Sequence, residues 1–426
     1  MGKRPGGQGT GDQAGGCCGA YHPRSRYLGK ARIQYNQVDL SLGCAGKFGL
    51  PIKRDNEMNS RKIRLGRMRY LWLPVMVAAA LKLFLLITQR IPFNADEAVV
   101  ALRARHINQG EFPLYFYGQA YMGSLDAWLI SLGFRIFGEQ IWVIRFIQSL
   151  LYLGTVAVAA ELGKVIFDQK KVGFIAGLFV AVPTVNVSLY STASLGGYGE
   201  LLLIGNFLLL MVIWVIDRYK EKPKQNCFLI FTCSLLIGLL SGIGMWGFGF
   251  LLIYLVPIFA YLLYFSFRYS WRPQTRILWG GLVTGLLIGA VPIWIYLARS
   301  DLGTMIHELT GGAIQTARGP LPLLQPFVHL YYLLLLGIPV IVGLRPPWGV
   351  EWLMLPLAPF ILVFWFGVLV FGLQRLISGW RDGGDRMAEK ALLWGVGLTL
   401  IAGYVFTAFG ADPSGRYFVP LVVSLA

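Results

Sequence analysis

Two adjacent acids, Asp96 and Glu97, follow the first membrane-length apolar run of this chain and open a polar stretch that extends to about residue 140. A carboxylate at the centre of a bilayer costs about 2.5 kcal/mol or more, and much less at its edge. Placed there, an acid can serve as general base toward a hydroxyl acceptor where water access is restricted. An adjacent pair could instead hold a divalent cation through oxygen ligands. The same residues also have a structural reading. Asn94 can cap a helix whose N3 position is Glu97, and acids in a first turn complement the helix dipole by about 0.3–1 kcal/mol. Spacing alone leaves both readings open.

Other polar groups are few. Arg103, Arg105 and His106 continue the helix that Asp96 begins. Arg103 lies two turns beyond Asp96 on a similar face and could position a phosphate, or these cations could simply face water and lipid headgroups. Glu200 closes the run Leu195-Gly196-Gly197-Tyr198-Gly199-Glu200 and heads an apolar segment, where a carboxylate either caps or binds. His307, Glu308 and Arg318 fall in a second long loop without defining spacing. Asp412-Pro413-Ser414-Gly415-Arg416-Tyr417 ends another apolar run at a turn. Arg416 and Tyr417 there read as an interfacial anchor or as a phosphate-binding pair. Lys82, late in the first apolar run, reads most simply as snorkelling outward. The five cysteines, Cys17, Cys18, Cys44, Cys227 and Cys233, have no metal-site spacing. A Walker loop, a dinucleotide fingerprint, a nucleophile elbow and a His-Glu-x-x-His helix are all missing from the sequence, so ATP-driven transport and serine or zinc hydrolysis have no support.

The elements that must position these groups are membrane helices. The chain is 56% hydrophobic and 14% charged, with mean hydropathy +0.59. Long Leu-rich runs mean helices rather than barrel strands, so the fold class is all-α and polytopic. Nine spans are expected, at about 70–88, 141–160, 173–190, 200–216, 227–243, 248–266, 279–298, 354–373 and 391–409, with a tenth starting near Tyr417. The stretches 95–108 and 125–137 are amphipathic, too short to cross, and expected to lie on the membrane surface. Of the net charge of +17, residues 1–69 supply a large part, with fourteen Lys/Arg against four Asp/Glu. That tail is basic, Gly-rich and expected to be disordered and cytoplasmic. Positive clusters at 164–171, 218–224 and 268–276 then fall inside, whereas 191–199 and 244–247 carry none. Counting 327–343 as a span would put Arg375, Arg381, Arg386 and Lys390 outside. A short run interrupted by Pro339 that dips in and returns, or lies along the interface, restores the charge rule and sets Asp412–Arg416 on the face of Asp96. No basic-aromatic groove segment accompanies the positive charge, so nucleic acid is not an expected partner.

Taken together, residues 70–420 resemble the GT-C membrane glycosyltransferases, above all the group holding protein O-mannosyltransferases and lipid A aminoarabinose transferases. The resemblance rests on Asp96-Glu97 after the first span, Phe112-Pro113-Leu114-Tyr115, Phe137-Gly138, Arg145 opening the next span, and Arg416-Tyr417 near Pro420. It implies a sugar carried on polyprenyl phosphate and moved to a lipid, glycan or protein acceptor at the extracytoplasmic face of the plasma membrane, usually with inversion. Asp96 then matches the family's first-loop acid and Glu97 its partner. Arg416 matches the arginine near the lipid phosphate, and Tyr417, Glu200, Arg103 and Arg318 complete the expected substrate-binding set. No cofactor is required, beyond the divalent cation that adjacent acids could hold. Two departures stand out: the family's second-loop acid has only Glu200 as a counterpart, and the chain stops inside an expected span, as a truncated transmembrane domain would. A transporter or flippase of lipid-linked sugars is the competing expectation; its internal repeats and midplane polar groups are not evident in the sequence.

Overall fold

A computed structural model describes residues 69–117, 119–221, 227–268, 273–299, 302–309, 324–384, 386–411 and 414–426, all within the unit Glu57–Ala426. The basic tail expected over 1–69 lies outside these residues except for Arg69. The first span, α1 (Arg69–Thr88), leads into α2 (Ala95–Asn108). Asn94 caps α2 as the sequence indicates, its extended backbone letting Oδ1 accept from the Glu97 N–H at 2.9 Å. A two-stranded antiparallel hairpin follows, β1 (Tyr115–Phe116) and β2 (Gln119–Gly123), a departure from the all-helical expectation. Then come α3 (Leu125–Phe137) and the second span, α4 (Ile141–Phe167).

The segment expected as one span at 173–190 is broken. Helix α5 (Lys170–Ala181) stops before Pro183, and α6 (Val185–Tyr190) starts after it. Proline lacks the N–H that a helix needs and turns the preceding residue from helical geometry; Val182 adopts φ −116°, ψ 72°. The chain continues through α7 (Tyr198–Glu221), α8 (Cys227–Gly247), α9 (Leu252–Arg268), α10 (Pro273–Gly289) and α11 (Val291–Leu297), the last two bent by 55°. After α12 (Leu302–Leu309) comes an apolar helix of α13 (Gln325–Tyr332), a π-turn at Leu333–Gly337 and α14 (Ile338–Ile341). Helices α15 (Ala358–Arg381), α16 (Met387–Phe406) and α17 (Leu421–Leu425) close the chain. Among the described residues, seven helices are long and apolar enough to cross a membrane, or eight with the bent pair as one span. The lower count than expected comes from the break at Pro183 and from the five-residue length of α17.

Helices α4, α7 and α9 build the core, where Tyr152, Leu202, Leu208, Ile213 and Tyr254 are sealed from solvent. The outermost helix, α15, instead exposes Phe360, Val363, Phe364 and Phe366, as a lipid-facing surface requires. Helices α8 and α10 meet backbone to backbone through glycines four residues apart: Gly238 and Gly242 on one, Gly281, Gly285 and Gly289 on the other. A Cβ on Gly285 would lie 2.0 Å from the Leu235 carbonyl oxygen, so no side chain fits there.

The two ends of the bundle differ in charge. Arg386 pairs with Asp217 at 3.0 Å and Lys220 with Glu389 at 3.2 Å, which sets the α15–α16 turn beside the C-terminal end of α7. At the other end the Asn186 amide donates to the Gly415 carbonyl at 3.0 Å, and Tyr417 packs on Phe250 with ring centroids 5.5 Å apart. Arg416 thus shares the end where α1 finishes and α4 and α7 begin. The segment Gln325–Ile341 packs against α16 through His329, whose Nδ1 lies 3.0 Å from the Val405 carbonyl oxygen. It leaves the alternation of spans unchanged, as the sequence reading of 327–343 requires.

Candidate active site at one end of the bundle

Four span ends and the α2–hairpin–α3 insertion meet at the end that carries Arg416. Helix α2 presents Glu97, Val100, Arg103, Ala104 and Ile107 to the interior. Glu97 is fully enclosed and accepts both arms of Arg145 from the second turn of α4, Nε to Oε1 at 3.1 Å and Nη2 to Oε2 at 3.0 Å. The capping reading of this pair of acids therefore holds for the backbone, while the Glu97 side chain is committed to an ion pair. Asp96, one residue earlier, is exposed at the open end of α2. On a helical wheel Asp96 falls close to Arg103, so the two acid–base groups share a face about two turns apart.

Arg103 is completely buried, not facing water or headgroups. Its Nη2 donates to Ser124 Oγ, and its guanidinium lies 4.9 Å from the Phe116 ring centroid and 5.8 Å from that of Tyr117. The hairpin supplying those rings is clamped onto the end of α8. Met122 and Phe248 form an antiparallel bridge, and Trp246 Nε1 donates to the Leu114 carbonyl at 2.7 Å. Gly123 is required at this crossing, because a Cβ would meet the Trp246 carbonyl oxygen at 2.0 Å.

Beneath Arg103 sits a carboxylate that the sequence reading passed over. Asp126, in the first turn of α3, is buried, accepts from the Ala127 N–H at 2.7 Å and from Ser194 Oγ at 3.3 Å. Burial pushes its carboxyl above the ordinary value, an effect opposed by the charge of Arg103. Burial likewise lowers Arg103 from the usual guanidinium range, and Asp126 counters it. Glu200, at the head of α7, is also buried; Gln148 Nε2 donates to its Oε1 at 3.2 Å, while Oε2 has no partner. The loop that carries Ser194 is held from below by Lys82. This lysine does not reach water. Its Nζ donates to the Ser191 carbonyl at 2.9 Å and to Ser191 Oγ and Thr192 Oγ1 at 2.7 Å each, 4.4 Å from the Tyr152 ring centroid.

Arg416 is half-buried and Tyr417 buried; Arg416 Nη2 donates to the Tyr417 hydroxyl at 3.1 Å. Phe250 and Phe409 hold the Tyr417 ring. Tilted and edge-to-face ring contacts run from there through Phe250, Phe248 and Tyr198 to Tyr190, so the Arg416 turn and the Glu200 loop belong to one packed end. Arg318 and Asp412 lie outside the described residues. His307 is exposed on α12. Among the described residues, no three His, Cys, Asp or Glu side chains gather as a metal-holding group. Asp126 was legible only as a polar residue in the first turn of an amphipathic stretch, and Arg145 only as a residue opening a span; neither spacing reveals its partner.

Comparison with known proteins places this arrangement. Residues 124–296, from Ser124 to the end of α11, match the family model described as dolichyl-phosphate-mannose-protein mannosyltransferase. The crystal structure of ArnT from Cupriavidus metallidurans bound to undecaprenyl phosphate superimposes with a TM-score of 0.51 at 15% identity, covering 84% of this chain and 59% of that one. The fold is GT-C. The resemblance to this group is thereby borne out in family model and fold; Asp96, Glu97, Arg416 and Tyr417 lie outside the residues that the family model matches. This chain spans about three-fifths of the ArnT chain. No curated protein matches the sequence. The GT-C region matched by the family model contains Asp126, Arg145, Gln148, Ser194 and Glu200, and the end of the bundle that they build.

Proposed function

We propose that this protein is a membrane glycosyltransferase that moves a sugar from a polyprenyl-phosphate donor to a lipid, glycan or protein acceptor at the extracytoplasmic face of the plasma membrane. The observation that carries the reading is that the match to dolichyl-phosphate-mannose-protein mannosyltransferases falls on the segment that builds the buried polar end of the bundle. The cations of the span ends near Arg218, Lys220, Arg386 and Lys390 lie at the opposite end, which by the positive-inside rule is the cytoplasmic one. The undecaprenyl phosphate bound to ArnT supports a polyprenyl-phosphate carrier.

In this reading Asp96 takes the proton of the acceptor hydroxyl as its oxygen bonds to the anomeric carbon. The bond from that carbon to the phosphate oxygen breaks, and its electron pair leaves with the polyprenyl phosphate. Inversion follows from attack opposite the leaving group. Arg416, steadied by Tyr417, offsets the charge that grows on the departing phosphate. Glu97 acts through Arg145: their buried pair fixes the first turn of α2 and so the direction of Asp96. Arg103 and Glu200 line the substrate side; Arg318 stands as a further substrate-binding residue.

The test is Asp96→Asn in membranes supplied with a panel of polyprenyl-phosphate sugars. The reading expects transfer to fall by about 10²–10⁴-fold with protein level intact. Unchanged transfer overturns the role of Asp96, and no transfer by the natural chain with any donor favours movement of lipid-linked sugars instead.

A further inference from the structure

A cleft of about 430 Å³ lies at the other end of the bundle, between the C-terminal end of α4, the last turns of α7 and the start of α16. Ligand sites commonly measure about 300–1,000 Å³. Three acids (Asp168, Asp217, Glu389) and three cations (Lys220, Arg386, Lys390) line this one, so its walls carry both signs and no net charge.

Most of that charge is spent within the protein. Asp217 accepts from Arg386 Nη2 at 3.0 Å, and Glu389 accepts from Lys220 Nζ at 3.2 Å and from the Tyr261 hydroxyl at 3.0 Å. Two groups stand apart. Asp168, exposed at the C-terminal end of α4, has no hydrogen bond or ion pair from its carboxylate among the described residues. Arg386, at the N-terminal end of α16, spends one arm on Asp217, and its Nη1 is enclosed without a partner. Each also sits at the wrong end of its helix, because the dipole favours cations at a C-terminus and anions at an N-terminus. Both hold left-handed backbone, φ 52° and 54°, which side chains disfavour. Neither placement favours the fold, yet both side chains line one cleft.

Their chemistry selects the guest. A simple anion would meet Asp168, and a simple cation would meet Arg386. A zwitterion satisfies both, its ammonium donating to Asp168 and its phosphate oxygens accepting from Arg386 and Lys390. Three span ends surround the cleft, which places it at headgroup depth. Phe167, exposed beside Asp168, offers an apolar wall to the glycerol and first methylenes of a lipid. We propose that the cleft between α4, α7 and α16 binds the headgroup of phosphatidylethanolamine from the cytoplasmic leaflet, with Asp168 taking the ammonium and Arg386, turned slightly toward the cleft, taking the phosphate. The site stands apart from the sugar-transfer end and does not depend on that reading.

The full chain, in detergent micelles carrying equal amounts of phosphatidylethanolamine, phosphatidylcholine and phosphatidylglycerol with the same acyl chains, is sprayed for native mass spectrometry and the retained lipids are counted. Phosphatidylethanolamine is expected to be retained about fivefold over the other two, since methylation removes the N–H donors and glycerol lacks the cation. Asp168→Asn keeps a residue that tolerates the left-handed cap and is expected to abolish that preference without lowering Tm in phosphatidylcholine micelles. Arg386→Lys keeps a single bond to Asp217 but drops the second arm; it is expected to lower retention of phosphatidylethanolamine severalfold. Hydrogen–deuterium exchange gives a second readout in which the natural chain is slowed at the end of α4 and the start of α16 by phosphatidylethanolamine nanodiscs and not by phosphatidylcholine ones. Equal retention of the three lipids overturns the proposal, as does a preference for phosphatidylglycerol. A preference for phosphatidylethanolamine that survives Asp168→Asn undiminished, or exchange blind to the headgroup, overturns it too.

Discussion

Glu97→Gln is the sharpest test of how α2 is held. Glu97 and Arg145 form a two-armed pair at 3.0 and 3.1 Å with side-chain exposures of 0% and 7%, so neither charge has water to fall back on. Removing the carboxylate charge strands a buried guanidinium, and breaking such a pair costs about 3–5 kcal/mol. Replacing both partners by apolar residues of similar volume, Glu97→Leu with Arg145→Met, removes the stranded charge and is expected to recover most of that loss. A double-mutant cycle in mixed micelles, with unfolding followed by far-UV circular dichroism against detergent composition, should therefore give a coupling of about 2–3 kcal/mol. Transfer activity is expected to follow the stability of each variant, because in the proposed function Glu97 acts through the position of Asp96. The reasoning is refuted if Glu97→Gln unfolds within 1 kcal/mol of the natural chain. It is equally refuted if the variant keeps its stability and loses transfer, since Glu97 would then belong to the chemistry itself.

Gly285→Ala drives a Cβ into the Leu235 carbonyl and is expected to destabilise by about 1–3 kcal/mol, whereas Gly280→Ala, on the same helix with open space around its Cβ, should be neutral or stabilising by up to about 1 kcal/mol; paired unfolding curves decide it. Lys82→Met removes the donor that ties Ser191 and Thr192, so amide exchange across 191–199 is expected to quicken at least tenfold while that of α15 stays constant, as read by hydrogen–deuterium exchange. Asp126 adds a pH dependence: its native pKa lies above the unfolded value of about 3.8, so the folded state holds a proton that the unfolded chain has released. Stability should fall as pH rises from about 4 through the raised native value, and Asp126→Asn should flatten that part of the profile.

Much of the scaffold was legible because the membrane imposes simple rules. The apolar runs at 70–88, 141–160, 200–216, 227–243, 248–266 and 391–409 each meet a helix of similar bounds, since a backbone in lipid has few alternatives. Asn94 announced its cap through side-chain type and spacing alone. The charge rule at 327–343 matches the pairing of Arg386 with Asp217. The hairpin was not legible, because its strands pair only through Tyr115–Gly123 and Phe116–Gln119, and Met122 is held by a further bridge to Phe248, far away in sequence. Lys82 failed for a related reason. A lysine near a helix end has two outlets, water and a carbonyl, and only the fold shows that the Ser191 turn caps this one. Asp126 and Glu200 are separated by most of two spans, so their proximity is a property of helix packing and not of any local pattern.

The position of charge also separates the two functional readings. A carrier that alternates access binds its cargo near the bilayer midplane, where broken helices offer free backbone groups. Among the described residues, helices break at Pro183 and Ala290, yet the buried charges are elsewhere: Lys82, Arg145 and Glu200 each lie within two turns of a span end at one end of the bundle, and Glu389 lies at the other, paired with Lys220. The deeper Asn206 is neutral, its amide N–H groups donating to the Leu202 carbonyl at 2.7 Å and to the Tyr254 hydroxyl at 3.1 Å. A site that gathers its charges at one membrane edge suits a reaction between a lipid-borne donor and an acceptor arriving from that same side, because both substrates reach it without crossing the hydrocarbon.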